Sequence, residues 1–194
     1  AIQSARSLRV SAVSWISGFR IKCTRLCSSE STVLCPVPKP PFSSRQSTCT
    51  VCPGLTFPDG KPQQLPLRRC NVRAMVYRQL PCLRFWAKCN DRYLMADKDL
   101  TKPTEIEFCT GSFAAIRTDV FKTIGGFDPE YFMYVEDADL TQRALRQGLV
   151  YLLPQFTATH AWHRDPMRDT GKFKMQLKSM GRYFKKWGIG KGNV

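Results

Sequence analysis

Five of the fifteen acidic residues in this 194-residue chain lie close together, from Asp128 to Asp139, among aromatic neighbours. Three of these carboxylates fall within four positions, at Glu136, Asp137 and Asp139. Like charges at this spacing repel one another, so they are tolerated mainly where a cation or a transferred proton makes use of them. The cluster therefore predicts a site that binds a cation or abstracts a proton.

Asp137 stands where a helix is predicted to begin. Apolar residues recur on one face over residues 137–147, and Gly148 follows as a stop signal. An aspartate at this position can cap main-chain N–H groups, and the helix dipole stabilises its ionised form. A plain helix cap and a functional base both explain Asp137, and the neighbouring carboxylates favour the base.

The elements ahead of the cluster begin at a turn, Pro58-Asp59-Gly60. Residues 1–52 are rich in Cys, Ser and Pro and show no sustained period, so this segment is expected to be irregular or disordered. After the turn, the pattern predicts a partly helical segment over 65–83 and a polar surface loop over 90–103. The folded region is thus expected from about residue 53 onward.

Two further elements flank the acidic cluster. Thr118 and Asp119 are capping candidates for a short helix that Gly125-Gly126 ends. After the cluster, residues 150–153 form a short apolar run, predicted to be a buried strand that Pro154 closes.

Residues 171–194 predict a basic, amphipathic helix with seven Lys or Arg residues and no acid. Such a helix either packs on the domain's own core or makes peripheral contact with a membrane surface through residues 171–187. Its apolar residues share one stripe, opposite the cations: Phe173, Leu177, Met180, Phe184 and Trp187.

Charge and cysteine content set outer limits on function. The net charge of +15 favours anionic partners, namely nucleic acid, anionic lipid or phosphorylated substrates, without choosing among them. No apolar stretch approaches the roughly 20 residues of a membrane-spanning helix. The nine cysteines are odd in number and no convincing secretory signal precedes them, so we expect reduced thiols and a cytoplasmic location.

An ordered series of motifs runs through the chain after the first turn. The motifs, in chain order, are Pro58-Asp59-Gly60, Cys109-Thr110-Gly111-Ser112-Phe113, Ile116-Arg117, Gly125-Gly126-Phe127-Asp128, Phe132-Met133-Tyr134, Glu136-Asp137, Asp139-Leu140, and Pro154 with His160. This series resembles the carboxyl-terminal half of family 2 glycosyltransferases, and most closely the rhamnosyltransferase-like branch that builds surface polysaccharide. The resemblance covers residues 53 to 187, roughly. It implies an α/β fold of the GT-A (Rossmann-like) type, a nucleotide-sugar donor, a divalent metal (Mn or Mg) and inversion at the anomeric carbon.

By this resemblance, Asp137 is the candidate general base that removes the proton of the acceptor hydroxyl, and Glu136 is its neighbour on the acceptor side. Gly111, Ser112 and Asp128 match positions expected to bind substrate.

The leaving diphosphate needs a metal and positive charge. His160 resembles a metal ligand of the family, and Arg164 or Arg168 could meet phosphate. A plain surface histidine is the alternative for His160 and its neighbour His163.

The family's amino-terminal, donor-binding half is not recognisable. No aspartate precedes Asp59, and neither Asp97-Lys98-Asp99 nor Asp137-Ala138-Asp139 lies where the family's Asp-x-Asp motif is expected. One hypothesis is that residues 1–52 represent a neighbouring coding region read out of frame. The resemblance thus divides the chain into that segment, an acceptor and catalytic-base region over 53–170, and the helix of 171–194.

By this resemblance, the chain is expected to be an inverting glycosyltransferase, truncated and doubtful in activity alone, that transfers a sugar to a saccharide or lipid-linked acceptor in surface polysaccharide synthesis. It would act at the inner membrane face without nucleic acid. The alternative is a non-enzymatic basic module that binds nucleic acid or a membrane surface. That module could include a zinc site built from Cys23, Cys27, Cys49 and Cys52.

Overall fold

A mixed sheet with surrounding helices forms the framework of the computed structural model, which describes residues 20–22, 48–80, 82, 84–131, 134–161 and 170–189. Between the two long strands, three helices are followed by two short strands and then by two further helices. In chain order the elements are β1 (Arg20–Lys22), β2 (Thr48–Thr56), α1 (Val72–Gln79), a 3-10 helix (Arg84–Trp86), α2 (Ala87–Tyr93), β3 (Thr104–Glu105), β4 (Ala115–Ile116), α3 (Thr118–Thr123), α4 (Glu136–Ala144), β5 (Leu149–Thr159) and α5 (Thr170–Trp187).

The sheet is built around β2 and β5, which run parallel with Thr50 opposite Val150. The order is β1-β5-β2-β4, and β3 also pairs with β5. Strands β1 and β3 are antiparallel to β5, and β4 is antiparallel to β2. A parallel pair needs a long crossover connection, and the residues between β2 and β5 supply α1 to α4 in that connection.

The expectation that residues 1–52 are irregular is wrong for residues 20–22, which form β1, and for residues 48–52. Residues 48–52 form the first part of β2, so the predicted boundary at 52 falls inside a central strand. Cys49 and Cys52 are buried there and act as small apolar core residues. The Cys- and Pro-rich composition concealed the strand because its pairing partner lies about a hundred residues away.

Pro154 does not close the last strand, contrary to the sequence prediction. The register with β2 jumps from Pro53 opposite Leu153 to Gly54 opposite Thr157. The intervening residues of β5 form a bulge, where a residue without an N–H group breaks no regular ladder bond. Strand β5 therefore continues to Thr159.

The shorter elements agree with the sequence in part. Helix α1 lies within the predicted segment 65–83, and α2 extends to Tyr93, so the predicted loop over 90–103 begins as helix. Thr118 and Asp119 are the first residues of α3 rather than its caps, since the N-cap is Arg117. The predicted end of α3 is confirmed by Gly125 and Gly126, which have φ of +77° and +67°.

Two clusters of buried residues hold the elements together, and α4 contributes to both. In the first, Leu140 and Ala144 of α4 pack with sheet residues that include Val150 and Leu152. In the second, Ala138 of α4 packs with residues of α1, α2 and α5. This second cluster consists of Cys70, Ala74, Tyr93, Phe108, Tyr131, Val135, Ala138 and Tyr183.

The predicted C-terminal helix is confirmed as α5, and its apolar stripe divides into two parts. Met180, Phe184 and Trp187 pack against the second cluster, whereas Phe173 and Leu177 are exposed. The most buried residue of α5 is Tyr183, which the stripe did not include. Within the described part of the chain, no helix is both long and apolar enough to cross a membrane.

Candidate active site

The loop of residues 109–113 meets the first turn of α4 at a hydrogen bond. The main-chain N–H of Gly111 donates to Oδ2 of Asp137 over 2.8 Å. A Cβ atom at position 111 would stand 3.3 Å from Cβ of Asp137, closer than nearly all real contacts of this kind. Glycine therefore permits the loop to approach the carboxylate, and the structure brings together two residues that the sequence singled out.

Thr141, one helical turn after Asp137, clamps this loop to α4. Its Oγ1 accepts a hydrogen bond from the main-chain N–H of Cys109 over 3.3 Å. The same hydroxyl can donate to the carbonyl of Asp137 at 2.7 Å or to that of Cys109 at 3.3 Å. Sequence reasoning missed Thr141, although its i+4 spacing from Asp137 places both residues on one helix face.

Asp137 is half-buried, and this environment changes its acidity. Burial raises the pKa of its carboxyl, and the N–H groups of Gly111 and Ala138 oppose that rise only in part. Its Oδ1 accepts from the Ala138 N–H over 2.8 Å, so each carboxylate oxygen accepts a main-chain hydrogen bond. A fixed carboxylate with a raised pKa is suited to accept a proton.

Glu136 is also half-buried. Burial, and then the charge of Asp137, raise the pKa of its carboxyl. Nothing in the described part of the chain hydrogen-bonds to its buried Oε2 atom. A second carboxyl group with an unused acceptor atom thus adjoins Asp137.

The backbone that leads into α4 is strained. Tyr134 and Val135 have φ of +69° and +57°, in the left-handed region that β-branched residues strongly disfavour. Such conformations persist where the surrounding structure imposes them, and they concentrate at functional sites. Here the strained pair sets where the helix begins, and therefore where Glu136 and Asp137 lie.

A cavity of about 60 Å³ opens beside Asp137. It can hold a few water molecules, so a sugar ring would have to lie at its mouth. Phe127 is 42% exposed there. The lining is mainly apolar: Thr50, Cys109, Gly111, Ala114, Ile116, Thr118, Phe121, Phe127, Asp137, Leu140, Thr141 and Ala144.

Asp139 has a different environment from Asp137, although only one residue separates them. Its side chain is fully buried, and Oδ2 lies 2.8 Å from Nε of Arg143. Its Oδ1 accepts from the indole N–H of Trp187 over 2.8 Å and lies equally close to Nζ of Lys186. These partners neutralise one carboxylate of the acidic cluster and bind α5 to α4.

Asp128, like Asp139, pairs with Lys186 of α5. Its Oδ2 lies 2.9 Å from Nζ of Lys186, and that hydrogen bond is the main reason that the pKa of Asp128 is lowered. Ser112, another residue predicted to bind substrate, has Oγ 3.3 Å from Oγ1 of Thr110. The substrate-binding roles of Asp128 and Ser112 stay predictions.

His160 lies directly after β5, and its N–H donates to the carbonyl of Thr56 over 2.9 Å. The side-chain amide of Gln63 donates to the carbonyl of His160 over 2.7 Å, and Nδ1 of His160 is 3.5 Å from Oε1 of Gln63. Several residues named from the sequence lie outside the described ranges, namely Phe132, Met133, His163, Arg164 and Arg168.

The described residues do not form a divalent-metal site around His160. Within those ranges, no three His, Cys, Asp or Glu side chains converge in a way that could hold a metal ion. The metal therefore stays a prediction.

The alternative zinc site is only partly within the described ranges. Cys49 and Cys52 are buried in β2, where burial raises the pKa of the Cys49 thiol. Cys23 and Cys27 lie outside the described ranges.

Comparison with known proteins gives similarity over part of the chain, and no family model matches it. Over 82 residues, 41% of this chain, it is 40% identical to rhamnosyltransferase WbbL of Escherichia coli (strain K12). Over 72 residues it is 38% identical to N-acetylglucosaminyl-diphospho-decaprenol L-rhamnosyltransferase of Mycobacterium tuberculosis (strain ATCC 25618 / H37Rv). The matches span 31% and 24% of the lengths of these two relatives. The similarity supports a rhamnosyltransferase-like glycosyltransferase.

Proposed function

We propose that this chain carries the acceptor-side and catalytic-base region of an inverting family 2 glycosyltransferase with a GT-A fold. The reaction is transfer of a sugar, of the rhamnosyl type, from a nucleotide-sugar to a saccharide or lipid-linked acceptor in surface polysaccharide synthesis. One observation carries the proposal: Gly111 holds the half-buried carboxylate of Asp137, whose pKa is raised, in the lining of a cavity.

Asp137 is the general base in this proposal. Its carboxylate takes the proton of the acceptor hydroxyl while the hydroxyl oxygen forms a bond to the anomeric carbon of the donor sugar. The bond from that carbon to the diphosphate oxygen breaks, and its electron pair leaves with the diphosphate. Attack on the face opposite the leaving group inverts the anomeric carbon. The two N–H groups on Asp137 orient the carboxylate.

Glu136 is proposed to contact the acceptor sugar. Its buried Oε2 has no hydrogen-bond partner in the described part of the chain, so this atom can accept a hydrogen bond from a hydroxyl group of the acceptor. The apolar wall around Phe127 would cover the less polar side of a sugar placed at the cavity mouth.

The acceptor is proposed to be a saccharide linked to a polyprenyl diphosphate. The support is the name of the mycobacterial relative, which specifies an N-acetylglucosaminyl-diphospho-decaprenol acceptor. Donor binding is proposed to need residues beyond the described ranges. The same holds for the divalent Mn or Mg ion, for which His160 is proposed as one ligand.

The test is transfer of labelled rhamnose from dTDP-rhamnose to N-acetylglucosaminyl-diphospho-polyprenol by the full chain, with acceptor binding followed separately by NMR. Asp137→Asn should lower transfer by about 10²-fold or more, because loss of a general base removes that much catalysis. It should leave acceptor binding and the circular dichroism spectrum unchanged.

Asp97→Asn is the matched control, because it removes an exposed carboxylate that pairs with Arg68 away from the cavity. Transfer by Asp137→Asn at the rate of Asp97→Asn would overturn the base assignment. A chain that binds neither acceptor nor donor, yet binds polyanions, would favour the basic-module alternative instead.

A further inference from the structure

The first half of α5 leaves an apolar surface in solvent. Phe173 is 36% exposed and Leu177 is 51% exposed. In the second half of the helix, Tyr183 is fully buried and Phe184 packs on the second cluster. Core packing therefore accounts for the second half of the apolar stripe and leaves the first half unexplained.

Cations lie beside this exposed apolar surface. Lys174, Lys178 and Arg182 follow one another at i+4 spacing, so they form a row along α5. Arg182 pairs with Glu130, its Nε being 3.1 Å from Oε2. Lys174 and Lys178 have no carboxylate partner in the described part of the chain.

The same row lines an open groove of about 350 Å³. Besides the three cations it is lined by Glu130, Met175 and Ser179. At about 100° per residue, the row of cations is turned by roughly 100° around the helix from the line of Phe173 and Leu177. An apolar strip flanked by cations on one side is the arrangement of a helix that lies in a membrane interface.

We propose that the first half of α5 docks on the surface of an anionic lipid bilayer. Phe173 and Leu177 enter the boundary between headgroups and acyl chains, and Lys174, Lys178 and the groove receive lipid phosphates. The net charge of +15 adds long-range attraction to such a surface. This inference deepens the proposed function and rests on it, because a polyprenyl-linked acceptor is itself held in a membrane.

The composition of the surface favours a bilayer over a nucleic acid. Phosphates of a nucleic acid would satisfy the cations but would leave Phe173 and Leu177 in water. A bilayer removes both apolar side chains from water and satisfies the cations together.

The test is co-sedimentation of the full chain with vesicles of phosphatidylglycerol and phosphatidylcholine in equal parts, compared with vesicles of phosphatidylcholine alone. We expect binding to the anionic vesicles only. Phe173→Ser/Leu177→Ser should weaken binding by about tenfold or more, through lost apolar burial. Lys174→Ala/Lys178→Ala should weaken it by about fivefold per cation.

Two controls separate this face from the rest of the surface. Phe85→Ser removes an aromatic side chain that is 70% exposed elsewhere. Lys88→Ala/Lys98→Ala removes the same charge from exposed lysines outside α5. Both controls should lower vesicle binding less than twofold. Equal losses of vesicle binding in the α5 variants and their controls would overturn the proposal. It would also be overturned if the α5 variants bound duplex DNA more weakly but bound vesicles as the unaltered chain does.

Sugar transfer to a water-soluble acceptor analogue separates this inference from the proposed function. The α5 variants should transfer to the soluble analogue at the unaltered rate. If the α5 variants lose vesicle binding, but neither they nor the unaltered chain transfers sugar or binds the acceptor, the proposed function is wrong while the docking surface stands. If transfer occurs and vesicles are not bound, the docking surface is wrong and the catalytic assignment stands.

Discussion

Trp187, at the end of α5, donates its indole N–H to the fully buried carboxylate of Asp139 in α4 over 2.8 Å. The carboxylates of the acidic cluster therefore lie in two different environments. Asp139 lies among Trp187, Lys186 and Arg143 and holds two helices together, whereas Asp137 lines the cavity and meets Gly111. Because residues two apart on a helix face different directions, one short acidic sequence supplies both a structural ion pair and a candidate base.

Loss of the Asp139 carboxylate should destabilise the fold. We expect Asp139→Ala to lower the free energy of unfolding by about 3 kcal/mol, because it leaves the buried guanidinium of Arg143 without its counterion. Urea unfolding followed by circular dichroism measures the change. Asp97→Ala is the control, since its ion pair with Arg68 is exposed and worth less than about 1 kcal/mol. Equal losses in the two variants would contradict the structural role of Asp139.

Asp137 should make stability depend on pH in the direction opposite to an ordinary ion pair. Its pKa is raised in the folded protein, so the folded state binds the proton more tightly than the unfolded state. Stability relative to Asp137→Asn should therefore fall as pH rises from about 4 through the folded pKa. The Asn variant should be the more stable protein at neutral pH, and the difference should vanish in acid.

Asp128 is the comparison for this effect, because its pKa is lowered by Lys186. The Asp128 carboxylate should stabilise the folded state above about pH 4, and this stabilisation should be lost as pH falls through the folded pKa. Asp128→Asn should therefore be less stable than the unaltered protein at neutral pH. Thermal unfolding of both variants across the acid range measures the two slopes. Each slope is the change with pH of the stability of the unaltered protein relative to the variant. Slopes of the same sign for the two variants would contradict the opposite pKa shifts of Asp137 and Asp128.

The close approach at Gly111 should matter more for transfer than for stability. In Gly111→Ala, the added Cβ would stand 3.3 Å from Cβ of Asp137 and would displace the carboxylate. We expect transfer to fall about tenfold, since misplacement of a reacting group by a fraction of an ångström is costly, with less than about 1 kcal/mol lost in unfolding.

Gly181→Ala serves as the matched glycine control. Among the described residues, a Cβ at this position in α5 would meet no atom within 4 Å outside the neighbouring backbone of the helix, and alanine favours the helix by about 1 kcal/mol. Stability should rise and transfer should not change. A fall in transfer as large as that of Gly111→Ala would show that the assay reports helix composition rather than the position of Asp137.

The two halves of α5 should differ in their contribution to stability. Tyr183→Ala should lower the free energy of unfolding by about 3 kcal/mol, because it empties a fully buried site in the second cluster. Leu177→Ala, at an exposed position, should change it by less than about 0.5 kcal/mol. Urea unfolding tests both. A large loss for Leu177→Ala would mean that the first half of α5 is core, and it would remove the basis for membrane docking.

The sequence predicted those features whose signal is local. The turn at 58–60, the end of α3 at Gly125-Gly126, helix α4 and the amphipathic α5 follow from glycine conformation and helical period, and the structure has all of them. The same reasoning missed β2, because its strand is defined by pairing with β5 about a hundred residues away. It also ended β5 at Pro154, since a bulge that accommodates proline has no local signal.

The sequence by itself determined which residues could do chemistry: the carboxylates of the acidic cluster, and Gly111 in its loop. Only the tertiary structure decided which of them face the cavity and which are neutralised inside the protein. Lys186 and Trp187 reach Asp139 from α5, and Thr141 fixes the Cys109 loop, through contacts between residues that are distant in sequence. A carboxylate's acidity depends on burial and on its partners, and folding alone brings these together.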